Sequence, residues 1–222
     1  MREVVIKGKE FTPYFSGTYC FTFFQKCYLL FKRLFDILAS FFFIVIFSPL
    51  MLIAALAIKI TTKGSVVFTQ ERVGQFGKII KVYKFRTMST DAPKNVATGE
   101  LENPDIYITK IGKILRLTSF DEILQLFNVL KGDMSLIGPR PIILQEETLH
   151  ELRKLKNIYA IKPGITGLAQ VNGRDLLTVK EKVDFDFKYM KNISLKMDLY
   201  ILWRSLIVVF KRADLFEGKI KR

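Results

Sequence analysis

The sequence predicts an α+β protein, mostly helical, in which a re-entrant membrane helix precedes a membrane-associated cytoplasmic domain with a small β-hairpin and interfacial helices. Three observations carry that expectation. From Ile37 to Ile58 no charged residue occurs for 22 positions, and Ser48-Pro49 falls near the middle of the run. Lysines and an arginine flank both ends of it. Beyond it, two short β-branched segments give way to stretches with helical charge pairing and capping residues. At 222 residues the chain holds one domain of ordinary size with appendages.

The apolar run as a straight helix at about 1.5 Å per residue just reaches across a bilayer core. Proline at its centre removes one backbone hydrogen bond and kinks the helix, and the adjacent serine hydroxyl can satisfy the carbonyl so freed. Lys26, Lys32 and Arg33 precede the run and Lys59 and Lys63 follow it. The positive-inside rule pulls both ends to the cytoplasmic side, which a re-entrant helix satisfies and a spanning one does not. A kinked spanning helix with residues 1–30 outside is the alternative. A signal peptide fits poorly, because the run starts late and lacks a small-residue cleavage site. The first thirty residues are aromatic and weakly patterned, suited to an interfacial belt or a flexible arm.

Charge narrows the class of partner. Thirty-five Lys plus Arg against 21 Asp plus Glu give +14, which suits nucleic acid or an anionic membrane surface. Twenty phenylalanines, many before residue 50, favour the membrane and argue against nucleic acid. Cys20 and Cys27 lack His or acidic neighbours, so free thiols are expected, neither disulfide nor zinc site. His150, the one histidine, sits in the polar stretch EETLHELRKLK and reads as a solvated surface residue.

After the anchor, 66–70 and 78–88 read as strands joined by a turn at Gly74 to Gly77. Residues 89–107 form a polar surface loop that could close over a ligand or merely connect. Helices are expected over 108–117, from Ser119 to Lys131-Gly132, and over 144–156, 179–191 and 195–210. Residues 162–174 are Gly-rich and irregular. The last helix has apolar residues on most faces and keeps Lys196, Asp198, Arg204 and Lys211. It reads as an interfacial helix anchored by Tyr200 and Trp203, with packing into the core as the alternative.

The segment RLTSFDEILQLFNVLKGDMSLIGPRP concentrates the candidate chemistry. Asp121 and Glu122 are adjacent at an expected helix start, bracketed by Arg116 and by Arg140 between two prolines. Ionised carboxylates there can act as a nucleophile or hold a divalent cation, and rigidly presented guanidinium groups bind phosphate oxygens in pairs. The same residues also read as structure: Ser119 to Glu122 fits the S-x-x-E capping box. Asn172-Gly-Arg174 offers a further arginine, or simply a surface loop. No P-loop or G-x-G-x-x-G stretch occurs.

In order, KRLFD, the Ser-Pro apolar run, FTQERVG, YKFRTM, RLTSFDEILQLFNVLKGDMSLIGPRP and KPGITGLAQVNGR resemble the bacterial sugar transferases, the monotopic phosphoglycosyl transferases. The likeness covers 32–210. It implies transfer of a sugar 1-phosphate from a UDP-sugar to undecaprenyl phosphate at the cytoplasmic face of the bacterial inner membrane, with release of UMP. By this resemblance Asp121 is the nucleophile, and Glu122 orients it or helps activate the lipid phosphate. Mg2+ sits near Asp121, and Arg116, Arg140 and Arg174 surround the phosphates. The re-entrant break maps to Ser48 and Pro49. The implied division is an extension over 1–31, the membrane helix over 32–60, the catalytic domain over 61–213 and a tail over 214–222. The partners are then the UDP-sugar, undecaprenyl phosphate and membrane lipid, with no nucleic acid, and a homodimer is compatible with the chain. Leu168 departs from the family pattern, where many relatives carry Trp.

Overall fold

A computed structural model of the protein describes residues 4–6, 9–11, 19–93, 103–173 and 176–211. Arg174 and the tail over 214–222 therefore lie outside the described residues, as does the centre of the 89–107 loop. The described chain is mostly helical, with three two-stranded sheets.

A short hairpin, β1 (Val4–Ile6) and β2 (Lys9–Phe11), precedes the long helix α1 (Phe23–Thr61). The helix starts well before Lys32 because Thr22 and Gln25 form a capping box, each side chain bonding the other's backbone N–H. It runs through Pro49. The Ser48 hydroxyl donates to Val45 O at 2.8 Å, and that carbonyl is the one left without its helical partner by the missing proline N–H. Among the described residues α1 is the one helix long and apolar enough to cross a membrane, by length and composition.

Its two halves contribute buried residues, while its middle stays largely exposed apart from the partly buried Ile44 and Phe47. Lys32, Asp36 and Ser40 are buried on the first half, Met51, Ala54 and Ile58 on the second. No residue from 41 to 50 is buried. Lys32 pairs with Asp198 at 2.7 Å, while Met51, Ala54 and Ile58 join Phe85, Leu115 and Leu124 in one apolar cluster. Both halves thus contact the domain that follows, with a mostly exposed apolar stretch around the Ser-Pro step between them.

Strands β3 (Val67–Val73) and β4 (Ile79–Phe85) form the expected antiparallel hairpin, with Val73 opposite Ile79 and Val67 opposite Phe85. Helix α2 (Lys110–Leu117) follows, then α3 (Gln125–Lys131), which Gly132 ends in the left-handed region. The Gly-rich stretches contain an element the sequence pattern did not signal: β5 (Ser135–Ile137) pairs in parallel with β6 (Gly164–Thr166). Three-residue strands are too short for periodicity to register. A Cβ on Gly164 would lie 2.0 Å from Gly138 N, so only glycine allows this approach.

The remaining helices are α4 (Glu147–Leu155), α5 (Leu168–Val171), α6 (Val179–Lys191) and α7 (Leu195–Lys211). Helix α6 carries a Thr178–Glu181 capping box. Helix α7 divides its faces: Asp198 and Ile201 are buried, while Leu195, Leu199, Tyr200, Trp203 and Leu206 are exposed. Core packing and an apolar outer stripe therefore coexist on it. Leu168 is buried with Ile137, Tyr189 and Ile201 and fills core volume.

His150 corrects an expectation. It is buried rather than solvated, its Nδ1 2.5 Å from the Tyr159 hydroxyl and its Nε2 2.8 Å from Ile143 O. Burial lowers its pKa to about 4, and the ring nitrogens serve as a fixed structural link. The polar letters around it belong to the opposite side of α4, where Glu147, Thr148 and Glu151 are exposed.

Candidate active site

Asp121 and Glu122 lie on a single 3-10 turn, Phe120–Glu122, between α2 and α3. The capping-box reading does not hold. Ser119 has φ 55°, in the left-handed region, and its side chain makes no capping hydrogen bond. It occupies the position after a helix end where glycine or asparagine is usual, and so reverses the chain sharply after α2. Such strain persists only where surrounding contacts fix it. Phe120 supplies them: its ring stacks on Phe85 and meets Phe47 edge-on, both centroids 6.2 Å away. Phe47 is the residue before Ser48-Pro49. The turn bearing the two carboxylates is therefore packed directly against the tip of the long apolar helix.

Released from capping, Glu122 is an ion-pair centre. Lys84 Nζ is 2.7 Å from its Oε1, and Arg140 reaches the same oxygen at 3.0 Å and Oε2 at 3.4 Å. Sequence reasoning did not single out Lys84. The signal was its register: Ile80, Val82 and Lys84 share one strand face, and the first two are buried. A lysine in phase with core residues has to find a counter-charge. Burial pulls its pKa down and Glu122 opposes that shift.

Arg116 is held by Nε donating to the buried Thr87 hydroxyl at 2.9 Å. Helix α2 sits close enough for this because Gly112 lies against Thr87, where a Cβ would come within 2.0 Å of its carbonyl oxygen. Arg140 is fixed through its backbone. Pro139 O accepts from Gly164 N at 2.9 Å, Arg140 O from Arg153 Nη1 at 2.8 Å and Pro141 O from Arg72 Nη1 at 2.8 Å.

Burial pushes the Asp121 carboxyl up to about 6; Lys84, Arg116 and Arg140 pull it back, and Glu122 adds to the rise. The helix dipole is thus not what sets its ionisation. The site gathers three predicted residues, Glu122, Arg140 and Arg116, around the fourth, Asp121, and adds Lys84. Among the described residues, Lys84, Arg116 and Arg140 gather around these two carboxylates, and their guanidinium and ammonium groups are of the kind that bind phosphate oxygens. Ser48 and Pro49 are exposed on the helix tip and touch the site through Phe47.

Among the described residues no group of three or more His, Cys, Asp or Glu could by itself hold a metal. A magnesium ion completed by waters and ligand phosphates needs only one or two protein carboxylates, and the Asp121–Glu122 pair fits that requirement.

The family model described as bacterial sugar transferase matches residues 27–212. The chain is 43% identical over 192 residues to the UDP-glucose:undecaprenyl-phosphate glucose-1-phosphate transferase of Klebsiella pneumoniae, covering 82% of this chain and 40% of that relative. It is 39% identical over 187 residues to the UDP-N-acetylgalactosamine-undecaprenyl-phosphate N-acetylgalactosaminephosphotransferase of Aeromonas hydrophila, covering 81% and 43%. An uncharacterized sugar transferase of Bacillus subtilis, EpsL, is 38% identical over 174 residues, with 78% and 84% covered. The chain thus spans well under half of the first and second of these relatives and most of the third. With the matched region running from the first half of the apolar helix to the end of α7, the chain belongs to the bacterial sugar transferase family.

Proposed function

We propose that the protein transfers a sugar 1-phosphate from a UDP-sugar to undecaprenyl phosphate, releasing UMP, as the first step of glycan assembly on a polyprenyl carrier. The observation that carries this reading is the gathering of Lys84, Arg116 and Arg140 around Asp121 and Glu122, on a turn packed against Phe47 of the long apolar helix. There a soluble nucleotide sugar and a lipid phosphate can meet. Two of the relatives named above, those of Klebsiella pneumoniae and Aeromonas hydrophila, act by their names on UDP-sugars and undecaprenyl phosphate.

In the proposed mechanism an Asp121 carboxylate oxygen attacks the sugar-proximal phosphorus of the donor. The bond from that phosphorus to the bridging oxygen breaks, and UMP leaves with the oxygen. A phosphate oxygen of the lipid then attacks the aspartyl phosphosugar, frees the Asp121 carboxylate and forms the polyprenyl diphosphate sugar. Arg116 and Arg140 bind and orient phosphate oxygens, and Lys84 holds Glu122 ionised beside the nucleophile. Glu122 is placed to orient Asp121 or to take the proton of the lipid phosphate. Asp121 would hold a magnesium ion, which would supply charge neutralisation at the donor diphosphate.

The packing of both halves of α1 onto one domain supports a re-entrant helix, and the lysines on both flanks of the apolar run support a site at the cytoplasmic face of the bacterial inner membrane. The test incubates purified protein with magnesium, undecaprenyl phosphate and a panel of UDP-sugars and follows UMP. Release with at least one donor is expected. No release with any would leave a basic, membrane-anchored binding protein as the better reading.

A further inference from the structure

Two ionisable side chains that no step of the mechanism uses are buried behind the site. Arg153 on α4 and Asp186 on α6 are 4% and 1% exposed and pair at 2.5 Å. A guanidinium facing a carboxylate ordinarily forms two parallel hydrogen bonds. Here it does not: Arg153 Nη2 goes to Asp186 Oδ2, while Nη1 turns to Arg140 O at 2.8 Å. Arg153 Nε and Asp186 Oδ1 are left buried without a hydrogen-bond partner among the described residues. The pair gives up its second mutual bond and keeps one to the backbone of Arg140. Unmade hydrogen bonds inside a protein are costly, so that choice needs a return elsewhere.

We propose that the Arg153–Asp186 pair is a positioning device for Arg140: Asp186 aims the Arg153 guanidinium, whose second arm fixes the Arg140 carbonyl and thereby the reach of the Arg140 side chain onto Glu122 and donor phosphate. Arg72 grips the next carbonyl, Pro141 O, from the hairpin side, so the Pro139-Arg140-Pro141 segment is held between the hairpin and the α4–α6 layer. Neither Arg153 nor Asp186 bonds Asp121 or Glu122; they act through Arg140. The inference rests on the reading of Arg140 as a phosphate-binding side chain.

The test separates positioning from mere support by using two variants with opposite expectations. In Arg153→Met/Asp186→Leu the charged pair is replaced by an apolar one of similar size, a change that buried ion pairs often tolerate without loss of stability. Arg140 O then has no side-chain donor. The melting temperature should stay near that of the parent, while kcat/KM for the UDP-sugar falls by about tenfold or more and KM for undecaprenyl phosphate stays put. Asp186→Asn keeps an acceptor for Arg153 and so the grip on Arg140, but leaves a buried charge uncompensated. It should melt lower yet retain more donor kcat/KM than the double variant.

That inverted order, less stable but more active, is the predicted signature. Activity that follows melting temperature across the set, or a stable double variant with parental donor kinetics, would overturn the proposal while leaving the functional reading intact. A parent protein inactive with every donor would instead sink the functional reading and this inference with it.

Discussion

The acidic turn at Phe120–Glu122 and the buried pairs elsewhere use the same residue types to opposite ends. Lys32–Asp198 and Arg153–Asp186 set one basic against one acidic group, nearly sealed from solvent. Around Asp121 and Glu122, among the described residues, three basic groups gather about two adjacent carboxylates that are largely but not fully buried. Matched and sealed charge cannot take up a ligand; it can hold the protein together or, as with Arg153–Asp186, position a neighbour. Adjacent carboxylates shared among several partly exposed basic groups can exchange those partners for a ligand's phosphates, and that difference marks the site.

Substitutions should divide along the same line. Asp121→Asn leaves the packing of the turn in place and should lower turnover by about three orders of magnitude or more, with the melting temperature almost unmoved. Assays of UMP release and thermal unfolding check both halves of the statement. Lys32→Met leaves Asp198 buried without its cation and should cost about 3–5 kcal/mol of stability, measurable by unfolding in detergent or nanodiscs. Arg140→Lys keeps the charge but loses the fork that reaches both Glu122 oxygens, and kcat/KM should fall by about tenfold to a hundredfold.

The pH dependence follows from Asp121. Its pKa is raised to about 6 and the nucleophile must be ionised, so kcat/KM should be level above that pH and fall as pH drops through it. Because Lys84 pulls that pKa down, Lys84→Met should move the acid limb upward. A limb that stays where it was would separate Lys84 from Asp121 electrostatically. The smallest effect belongs to Ser48→Ala, which removes one hydrogen bond to Val45 O and should cost about 1 kcal/mol or less.

The sequence made the long elements legible and the short ones not. The hairpin, α2 and α6 follow from alternation, periodicity and caps. The β5–β6 pair rests on glycines that allow close backbone approach, a tertiary fact with no local pattern. Asp121, Glu122, Arg116 and Arg140 were legible as a cluster because they sit in one stretch of chain. Lys84 was not, since its partner Glu122 is 38 residues away. The capping motif at Ser119 misled because the left-handed turn that Phe120 enforces by packing on Phe47 and Phe85 is invisible in four letters. His150 misled for the same reason: its partners Ile143 and Tyr159 arrive only when α4 folds against its flanks.

The central claim is that the basic cluster around Asp121 serves a covalent transfer. Intact-mass measurement of the protein incubated with its UDP-sugar and magnesium, without lipid, tests it most directly. A gain of one sugar phosphate, mapped to Asp121 and discharged on adding undecaprenyl phosphate, is the predicted result. An unmodified Asp121 in an enzyme that releases UMP once lipid is supplied would contradict it.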